Sequence, residues 1–399
     1  MKNSKKKFLF ILYFLLVIFT LNISIFYIIT KNYKTFINLD KVYKNINLKN
    51  SNYSINNLDL INFIYKDRNL IFSPIDLIRE KSKHSSLINN NLISYSNKSN
   101  SRALEICEKN NPSYYELDQY GFRNKLITPQ MADIVVLGDS YTFGACNNQS
   151  LTDFLKKKDN FNKYYNLSAH GNEILILKNS LIHFLKFFGK KKFVFILTES
   201  SFYYTNLHNK DSIFYKDNFS NSFFDKKTKS KIDKFISNDM NAELKKRKNH
   251  FKNYHKLNLK KNLNLFYIRE MISYFKFNNL EKKKLENIKR YNIINFNNNT
   301  LKNNIKILHD LIMISRDDIS IDIIVFKSLN DLLLNDQSTK NLIHELQNYY
   351  NQYSNSISNF YHINEKDFYS ENMYIYNEGH LNNNGLKKIS DEILKNIND

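Results

Sequence analysis

The sequence is poor in the residue types and spacings that build metal sites. Only two cysteines occur among its 399 residues, Cys107 and Cys146. No group of His, Cys and Asp side chains has the spacing of metal ligands, and zinc-finger spacing is absent. We therefore expect a protein that needs no metal and no other cofactor.

The chain is also poor in acidic residues relative to basic ones. It has 59 Lys and Arg against 38 Asp and Glu, which gives a net charge of +21. Such an excess raises the question of nucleic acid or anionic lipid as a partner. However, the excess is nearly all Lys and is spread along the chain, without an Arg-rich stripe or an aromatic RNA-reading motif. The pattern favours a solvated, lysine-rich surface, and we expect no nucleic acid partner.

Apolar residues, by contrast, are abundant. They make up 42% of the chain, with 31 Phe and 27 Tyr, which is enough for the core of one large domain or two medium ones. Residues 8–30 carry no charge and consist mainly of Leu, Ile, Phe, Val and Tyr. At about 1.5 Å per helical residue, this segment is long enough to span the hydrocarbon core of a bilayer. It predicts a transmembrane helix, with the lipid bilayer as a partner.

The flanks of this apolar segment predict its orientation. Residues 1–7 are rich in Lys, whereas only Lys31 and Lys34 follow the segment closely, so residues 1–7 should stay in the cytoplasm. A cleavable signal peptide is the competing interpretation, but it would end in an Ala-x-Ala-like site, which is absent here. We expect a single-pass protein of the inner (cytoplasmic) membrane, with its main domain periplasmic or extracellular.

Composition divides the rest of the chain. Residues 31–112 are rich in Asn, Ser and Lys and predict a stalk with a small packing segment. In residues 113–399, short apolar strands alternate with helices, and a Lys- and Asn-rich helical insertion interrupts them at about 207–300. The predicted strands are 134–137, 164–168, 193–197, 321–326 and 360–363. This alternation predicts an α/β fold with a doubly wound, three-layer parallel sheet, whose site lies beyond the carboxyl ends of the strands.

A candidate nucleophile follows the first of these strands, in residues 138–144 (GDSYTFG). A serine placed after a buried strand and before a helix has its hydroxyl at the sheet edge, where backbone N–H groups can stabilise an oxyanion. Gly138 and Gly144 permit the tight backbone path around it. Ser140 is therefore the candidate reactive residue.

Four blocks in a fixed order resemble the GDSL/SGNH hydrolase superfamily, including a membrane-associated bacterial branch of it. They are 118–124 (DQYGFRN), 134–146 (IVVLGDSYTFGAC), 166–172 (NLSAHGN) and 379–385 (GHLNNNG). The resemblance covers about residues 113–205 and 320–397, and it implies the flavodoxin-like fold of that family. It also implies that Ser140 is the nucleophile and an oxyanion donor, that Gly171 supplies a second oxyanion N–H, and that His380 is the general base. His170, beside Gly171, is the rival base.

The chain departs from the family pattern in the segment after the third predicted strand, where an Asn side chain normally donates to the oxyanion. Ser201 stands at that position. A serine hydroxyl can donate but is shorter, so Asn172 and Asn206 are alternative donors. Loss of one oxyanion donor costs about 10²- to 10³-fold in rate.

A second departure concerns the acid that orients the catalytic imidazole. The family has Asp three residues before the histidine, and this chain has Asn377 there, with Glu378 next to it. Either Glu378 or a backbone carbonyl takes that role, or the activity is weak.

The two cysteines lie in the part of the chain expected to be exported, where an oxidising compartment favours a disulfide between them. Two unrelated buried thiols are the alternative. By the resemblance, Cys107 lies before the first block and Cys146 at the end of the second, so a bridge would tie the stalk to the active-site loop.

Taken together, the resemblance implies a membrane-anchored serine esterase or O-acyltransferase that acts on an acylated cell-envelope glycan or lipid. The alternative is an envelope scaffold or binding protein that keeps the SGNH fold without its chemistry.

Overall fold

The structure is a computed structural model, and it describes part of the chain. The described residues are 10, 13–24, 70–71, 96–105, 113–170, 174–202, 224–238, 298–316, 319–334, 337–354, 358–375 and 380–397. Within these ranges, no helix is both long and apolar enough to cross a membrane. Residues 13–24 are helical and mostly exposed, and most of the rest of 8–30 lies outside the described residues. The transmembrane helix therefore stays a prediction.

A small sheet precedes the main domain expected from the sequence. Its strands are β1 (Leu70–Ile71), β2 (Arg102–Glu105) and β3 (Ser113–Glu116), with β2 parallel to β1 and antiparallel to β3. This sheet was not predicted from the sequence, because its strands are too short and polar to show an apolar period. Ala103 and Tyr115 of this sheet are buried against Phe143, which lies next to the candidate site. This part of the predicted stalk segment thus packs on the α/β region.

The central sheet has five parallel strands in the order β5-β4-β6-β7-β8. They are β4 (Ile134–Gly138), β5 (Tyr164–Asn166), β6 (Lys192–Thr198), β7 (Ile321–Phe326) and β8 (Phe360–His362). Numbered within this sheet, the order is 2-1-3-4-5, which is compatible with the doubly wound flavodoxin-like fold. β5 pairs with one edge of β4, and β6 pairs with the opposite edge. The carboxyl ends of β4 and β6 therefore flank the topological switch point.

The strands form where apolar runs are buried on both faces. In β4, Val135 and Leu137 face one core while Ile134 and Val136 face the other. The observed bounds lie close to the predicted ones. β5 ends earlier than expected, at Asn166, because the Asn166 side chain accepts the N–H of Ser168 at 2.9 Å and turns the chain.

Helices cover both faces of the sheet. They are α1 (Ser140–Phe143), α2 (Leu151–Lys158), α3 (Ile174–Phe188), α4 (Asn298–Ser315), α5 (Leu329–Leu334), α6 (Gln337–Tyr353) and α7 (Asn383–Ile397). The apolar side chains of α3, α4 and α6 share one core, and those of α2 and α7 share the other. Residues 226–238, within the predicted insertion, are also helical and bury Ile232 and Ile236 in the α3 core. The predicted α/β class with a parallel sheet between helices is confirmed.

Candidate active site

The chain turns sharply where β4 ends, and this turn presents Ser140. Asp139 caps α1 by accepting the N–H of Tyr141 at 2.9 Å, and Ser140 is the first residue of that short helix. Gly144 ends the helix with a φ of +77°, in the left-handed region. A β-carbon at Gly144 would lie 2.5 Å from the carbonyl oxygen of Gln149. The turn therefore needs glycine there both for its backbone angle and for its packing.

His380 meets Ser140 from the distant end of the chain. Its Nε2 lies 3.0 Å from the Ser140 Oγ, and both side chains are partly buried. A neutral imidazole that carries its proton on Nδ1 accepts the serine hydroxyl proton in this geometry. The structure thus brings together the predicted nucleophile and the predicted base, at the switch point of the sheet.

Local contacts fix the backbone around His380. The His380 carbonyl accepts the N–H of Ile375 at 2.7 Å, and Tyr374 and Leu381 form an antiparallel bridge. The ring of Tyr141 lies 5.3 Å from the imidazole, measured between ring centroids. The histidine is therefore held between a backbone bridge and an aromatic ring that belongs to the Ser140 helix.

The block at residues 118–124 holds the Ser140 turn from the opposite side. The buried guanidinium of Arg123 donates to the carbonyls of Phe143 at 3.1 Å, Gly144 at 2.9 Å and Asn147 at 2.9 Å. It also lies 4.2 Å from the ring centroid of Tyr115. Arg123 thus satisfies carbonyls that α1 leaves open at its carboxyl end.

Two further members of this block tie it to β5. Asn124 accepts the N–H of Asn166 at 2.7 Å and donates to its carbonyl at 3.0 Å, as a neighbouring strand residue would. Asp118 accepts the N–H groups of Tyr120 and Phe122, the Asn124 amide and the Tyr165 hydroxyl. Burial raises the pKa of Asp118, and the bonds from Tyr165 and Asn124 partly offset that rise. The block is therefore a structural clamp between β5 and the Ser140 turn.

Asp139 places a titratable carboxylate beside the Ser140–His380 pair. Burial raises its pKa to about 6, although the Tyr141 N–H and the charge of His380 act in the opposite direction. The Asp139 carboxylate is therefore close enough to His380 for charges on the two side chains to attract each other. The charge of this carboxylate changes just below neutral pH.

The segment that follows β6, which contains Ser201, is arranged differently from the family expectation. The Ser201 hydroxyl accepts the N–H of Thr198 at 3.1 Å and lies 2.9 Å from the Thr198 hydroxyl. It therefore forms a hydrogen-bonded turn at the carboxyl end of β6. Asn304, on α4, supports the same turn by donating to the carbonyl of Phe202 at 2.8 Å.

A buried carboxylate–imidazole contact lies at the same sheet edge and was not predicted from the sequence. Glu199 follows β6 and His362 ends β8, and the Glu199 Oε1 lies 2.9 Å from the His362 Nε2 with both side chains 3% exposed. Polar residues directly after apolar strands are the only sequence feature that could have indicated it. The pair joins the ends of two strands that are separated by β7.

Several predicted site residues lie outside the described part of the chain. They are Gly171, Asn172, Asn206, Asn377, Glu378 and Cys107, and their roles stay predictions. Cys146 is disulfide-bonded, and Cys107 is the only other cysteine in the sequence. The rival base His170 has its ring against Phe143, with 4.6 Å between ring centroids.

These features define an α/β protein with a hydrogen-bonded serine–histidine pair at the switch point of a parallel sheet. The chain matches no family model, no curated protein and no solved structure. Because one fold can host many functions, the chemistry of the site indicates the activity.

Proposed function

We propose that the protein is an SGNH-type serine esterase or O-acyltransferase with a flavodoxin-like fold. Ser140 is the nucleophile and His380 the general base. The observation that carries this proposal is the 3.0 Å contact between them at the switch point. The order of the four sequence blocks, which resemble those of SGNH hydrolases, supports it independently.

In the first half of the reaction, His380 Nε2 removes the Ser140 proton while the Ser140 Oγ attacks the ester carbonyl carbon. The resulting oxyanion is stabilised by backbone N–H groups. When the intermediate collapses, the C–O bond to the leaving alcohol breaks and the imidazolium gives that alcohol its proton. An acyl-enzyme on Ser140 remains. Water or an acceptor alcohol then attacks the acyl carbon, His380 takes its proton, and the same proton returns to Ser140 as the acyl group departs.

The oxyanion donors are the N–H of Ser140 and, by the resemblance, that of Gly171. Ser201 is a poor third donor, because its hydroxyl is already engaged with Thr198. Asn172 or Asn206 takes that role instead. Glu378 or a backbone carbonyl orients the imidazole, and the ionised Asp139 adds a negative charge near the imidazolium that forms during the reaction.

The substrate follows from the expected location. The charge-free segment 8–30 and the lysines before it support an anchor in the inner membrane, with the catalytic region facing the periplasm or exterior. An enzyme placed there meets acylated envelope glycans and lipids. The second candidate function, an envelope scaffold with the SGNH fold but without activity, is favoured by one observation: Ser201 replaces the expected Asn and is bound elsewhere.

Labelling with a serine-directed fluorophosphonate separates the two candidates. We expect the full-length protein in detergent to be labelled, and labelling to fall by at least about 10³-fold in Ser140→Ala and in His380→Ala, since the two residues act as a unit. Ser237→Ala is the matched control, because the Ser237 hydroxyl donates to Asp233 on helix 226–238, outside the site. A folded wild type that resists labelling and turns over no ester would favour the scaffold.

A further inference from the structure

Asn147 connects the two halves of the candidate active site. It directly follows the disulfide-bonded Cys146 and is buried, with 7% of its surface exposed. Its Nδ2 donates to the carbonyl of Ala145 at 2.8 Å and to that of Leu381 at 2.8 Å. Ala145 lies in the loop that follows the Ser140 helix, and Leu381 is the residue after His380. A single carboxamide therefore touches the backbone on both sides of the serine–histidine contact.

The Ala145 side of this connection continues to the nucleophile itself. The N–H of Ala145 donates to the carbonyl of Ser140 at 2.9 Å. The path from Ser140 to His380 thus consists of one backbone–backbone hydrogen bond and the two hydrogen bonds of the Asn147 carboxamide. The peptide bond between His380 and Leu381 completes it. A shift of the Leu381 carbonyl relative to Ala145 would change the distance between Ser140 Oγ and His380 Nε2.

Arg123 fixes the backbone from which the Asn147 side chain projects. Its guanidinium donates to the carbonyls of Asn147, Phe143 and Gly144, and only 4% of its surface is exposed. These three acceptors belong to the end of α1 and the loop after it. The planar guanidinium can reach all three at once, whereas a lysine ammonium at the end of a flexible stem cannot hold the same arrangement.

We propose that Asn147 is the residue that positions His380 against Ser140, and that Arg123 supports it by holding the Asn147 backbone. The inference rests on the proposed function, because it assigns these residues to the serine–histidine pair. In the described part of the chain, the hydrogen bonds of both side chains go to backbone carbonyls around the pair, so both are positioning residues. Their effect is large because a misplacement of about 1 Å costs about 10²-fold in rate.

A thiol at position 140 reports on this geometry without any need for ester turnover. In Ser140→Cys, a well-placed His380 lowers the thiol pKa below its ordinary value of about 8.5. The pKa is read from the pH dependence of alkylation by iodoacetamide, and the disulfide-bonded Cys146 does not compete. We expect the thiol pKa to be lowered by at least about 1 unit in Ser140→Cys alone.

Adding Asn147→Leu should return the thiol pKa towards about 8.5 and slow alkylation at pH 6.5 by about tenfold. Arg123→Leu should also return the thiol pKa towards about 8.5. Arg123→Lys should do the same, because a lysine does not replace the guanidinium contacts. Asn351→Leu is the matched control, since the Asn351 carboxamide also bonds to backbone, at Phe360, but at the amino end of β8. It should leave the thiol pKa unchanged.

Asn147→Asp covers the case in which Asn147→Leu does not fold. It keeps the shape of the side chain, but its carboxylate repels the carbonyls of Ala145 and Leu381, so the same return of the thiol pKa is expected. Folding is checked by near-ultraviolet circular dichroism. A folded Asn147 variant with an unchanged thiol pKa overturns the positioning role.

The outcomes for the two proposals are separable. If the wild type shows no labelling and no ester turnover, but the thiol pKa in Ser140→Cys is lowered and depends on Asn147, positioning stands and the esterase proposal fails. If the wild type is active and folded Asn147 variants change neither its labelling rate nor the thiol pKa, only the positioning proposal fails.

Discussion

At the scale of single residues, Asp139 serves local structure and chemistry in conflicting ways. Its side chain caps α1 through the N–H of Tyr141, and its negative charge lies close enough to His380 to attract a positive charge there. Burial nevertheless raises its pKa to about 6, so the ionised form is disfavoured in the folded protein. Because the folded state then binds more protons than the unfolded state, the contribution of Asp139 to stability falls as pH rises from about 4 to about 6.

Asp139→Asn should therefore separate stability from activity. Asn caps helices as well as Asp does, so α1 keeps its cap. At pH 8 the variant should be more stable than wild type by about 1 to 2 kcal/mol, after allowance for partial exposure of the carboxyl, and at pH 4 the two should be equal. Its fluorophosphonate labelling at pH 8 should nevertheless be slower by about tenfold.

Denaturant unfolding at both pH values and the labelling rate give these quantities. Equal stability at pH 8 would mean that burial does not disfavour the Asp139 charge. An unchanged labelling rate would mean that the charge does not act on His380.

The site residues that could be predicted from the sequence are those whose neighbours in the sequence already indicate their role. Ser140 follows an apolar strand and lies between glycines, and His380 lies in a recognisable block, so both were predicted. Asn147 and the Glu199–His362 pair were not predicted, because their roles depend on contacts between residues far apart in the chain. A lone Asn after a cysteine has no distinguishing pattern until Leu381 is placed beside it.

At the scale of elements, the central strands β4, β6 and β7 were predictable because each is a mostly apolar run that is buried on both faces. β7 has the predicted bounds, Ile321–Phe326. The small sheet β1–β3 was not predictable, since it depends on pairing with distant, polar segments. The stability of a short helix such as α1 depends on the residues at its two ends. A glycine in the left-handed conformation marks the carboxyl end of such a helix.

Two glycines that end helices give a matched pair of substitutions. Gly144 and Gly189 have φ values of +77° and +75°. Among the described residues, no atom lies within 4 Å of a β-carbon added at Gly189. Gly189→Ala should cost about 1 kcal/mol, the cost of the left-handed backbone alone. Gly144→Ala adds a collision with the Gln149 carbonyl and should cost about 3 kcal/mol or more.

Denaturant unfolding of the two variants measures this difference, and labelling should fall only in Gly144→Ala because Gly144 shapes the Ser140 turn. Equal losses of stability in both variants would show that the loop after α1 relaxes around the new methyl group.

At the scale of the whole molecule, polar contacts join regions that the sequence suggested were separate. Lys229, on helix 226–238, donates to the carbonyl of Asn97 at 2.6 Å and pairs with Asp233 at 2.8 Å. Asn97 donates in turn to the carbonyl of Gly121 at 3.0 Å, in the block that holds the Ser140 turn. The described parts of the predicted stalk and insertion therefore support the block 118–124, which holds the Ser140 turn.

The disulfide at Cys146 extends this support, because it constrains the residue immediately before Asn147. Either Cys146→Ser or Cys107→Ser removes it if the two cysteines pair. Each variant should lose about 2 to 4 kcal/mol of stability, and both should lose the same amount because they remove the same bond. Labelling of Ser140 should slow in both, since the Asn147 backbone is then held by Arg123 without the covalent constraint. Denaturant unfolding and labelling rates test this.

Electrophoresis with and without reductant provides the direct control, since an intact bridge makes the oxidised chain migrate faster. Equal mobility, together with two thiols open to alkylation in the folded wild type, would contradict the bridge. Unequal effects of the two substitutions would show that Cys146 has a partner other than Cys107, such as a cysteine in a second copy of the chain. A bridge within the chain would also favour an oxidising compartment, and so support the export that residues 8–30 predict.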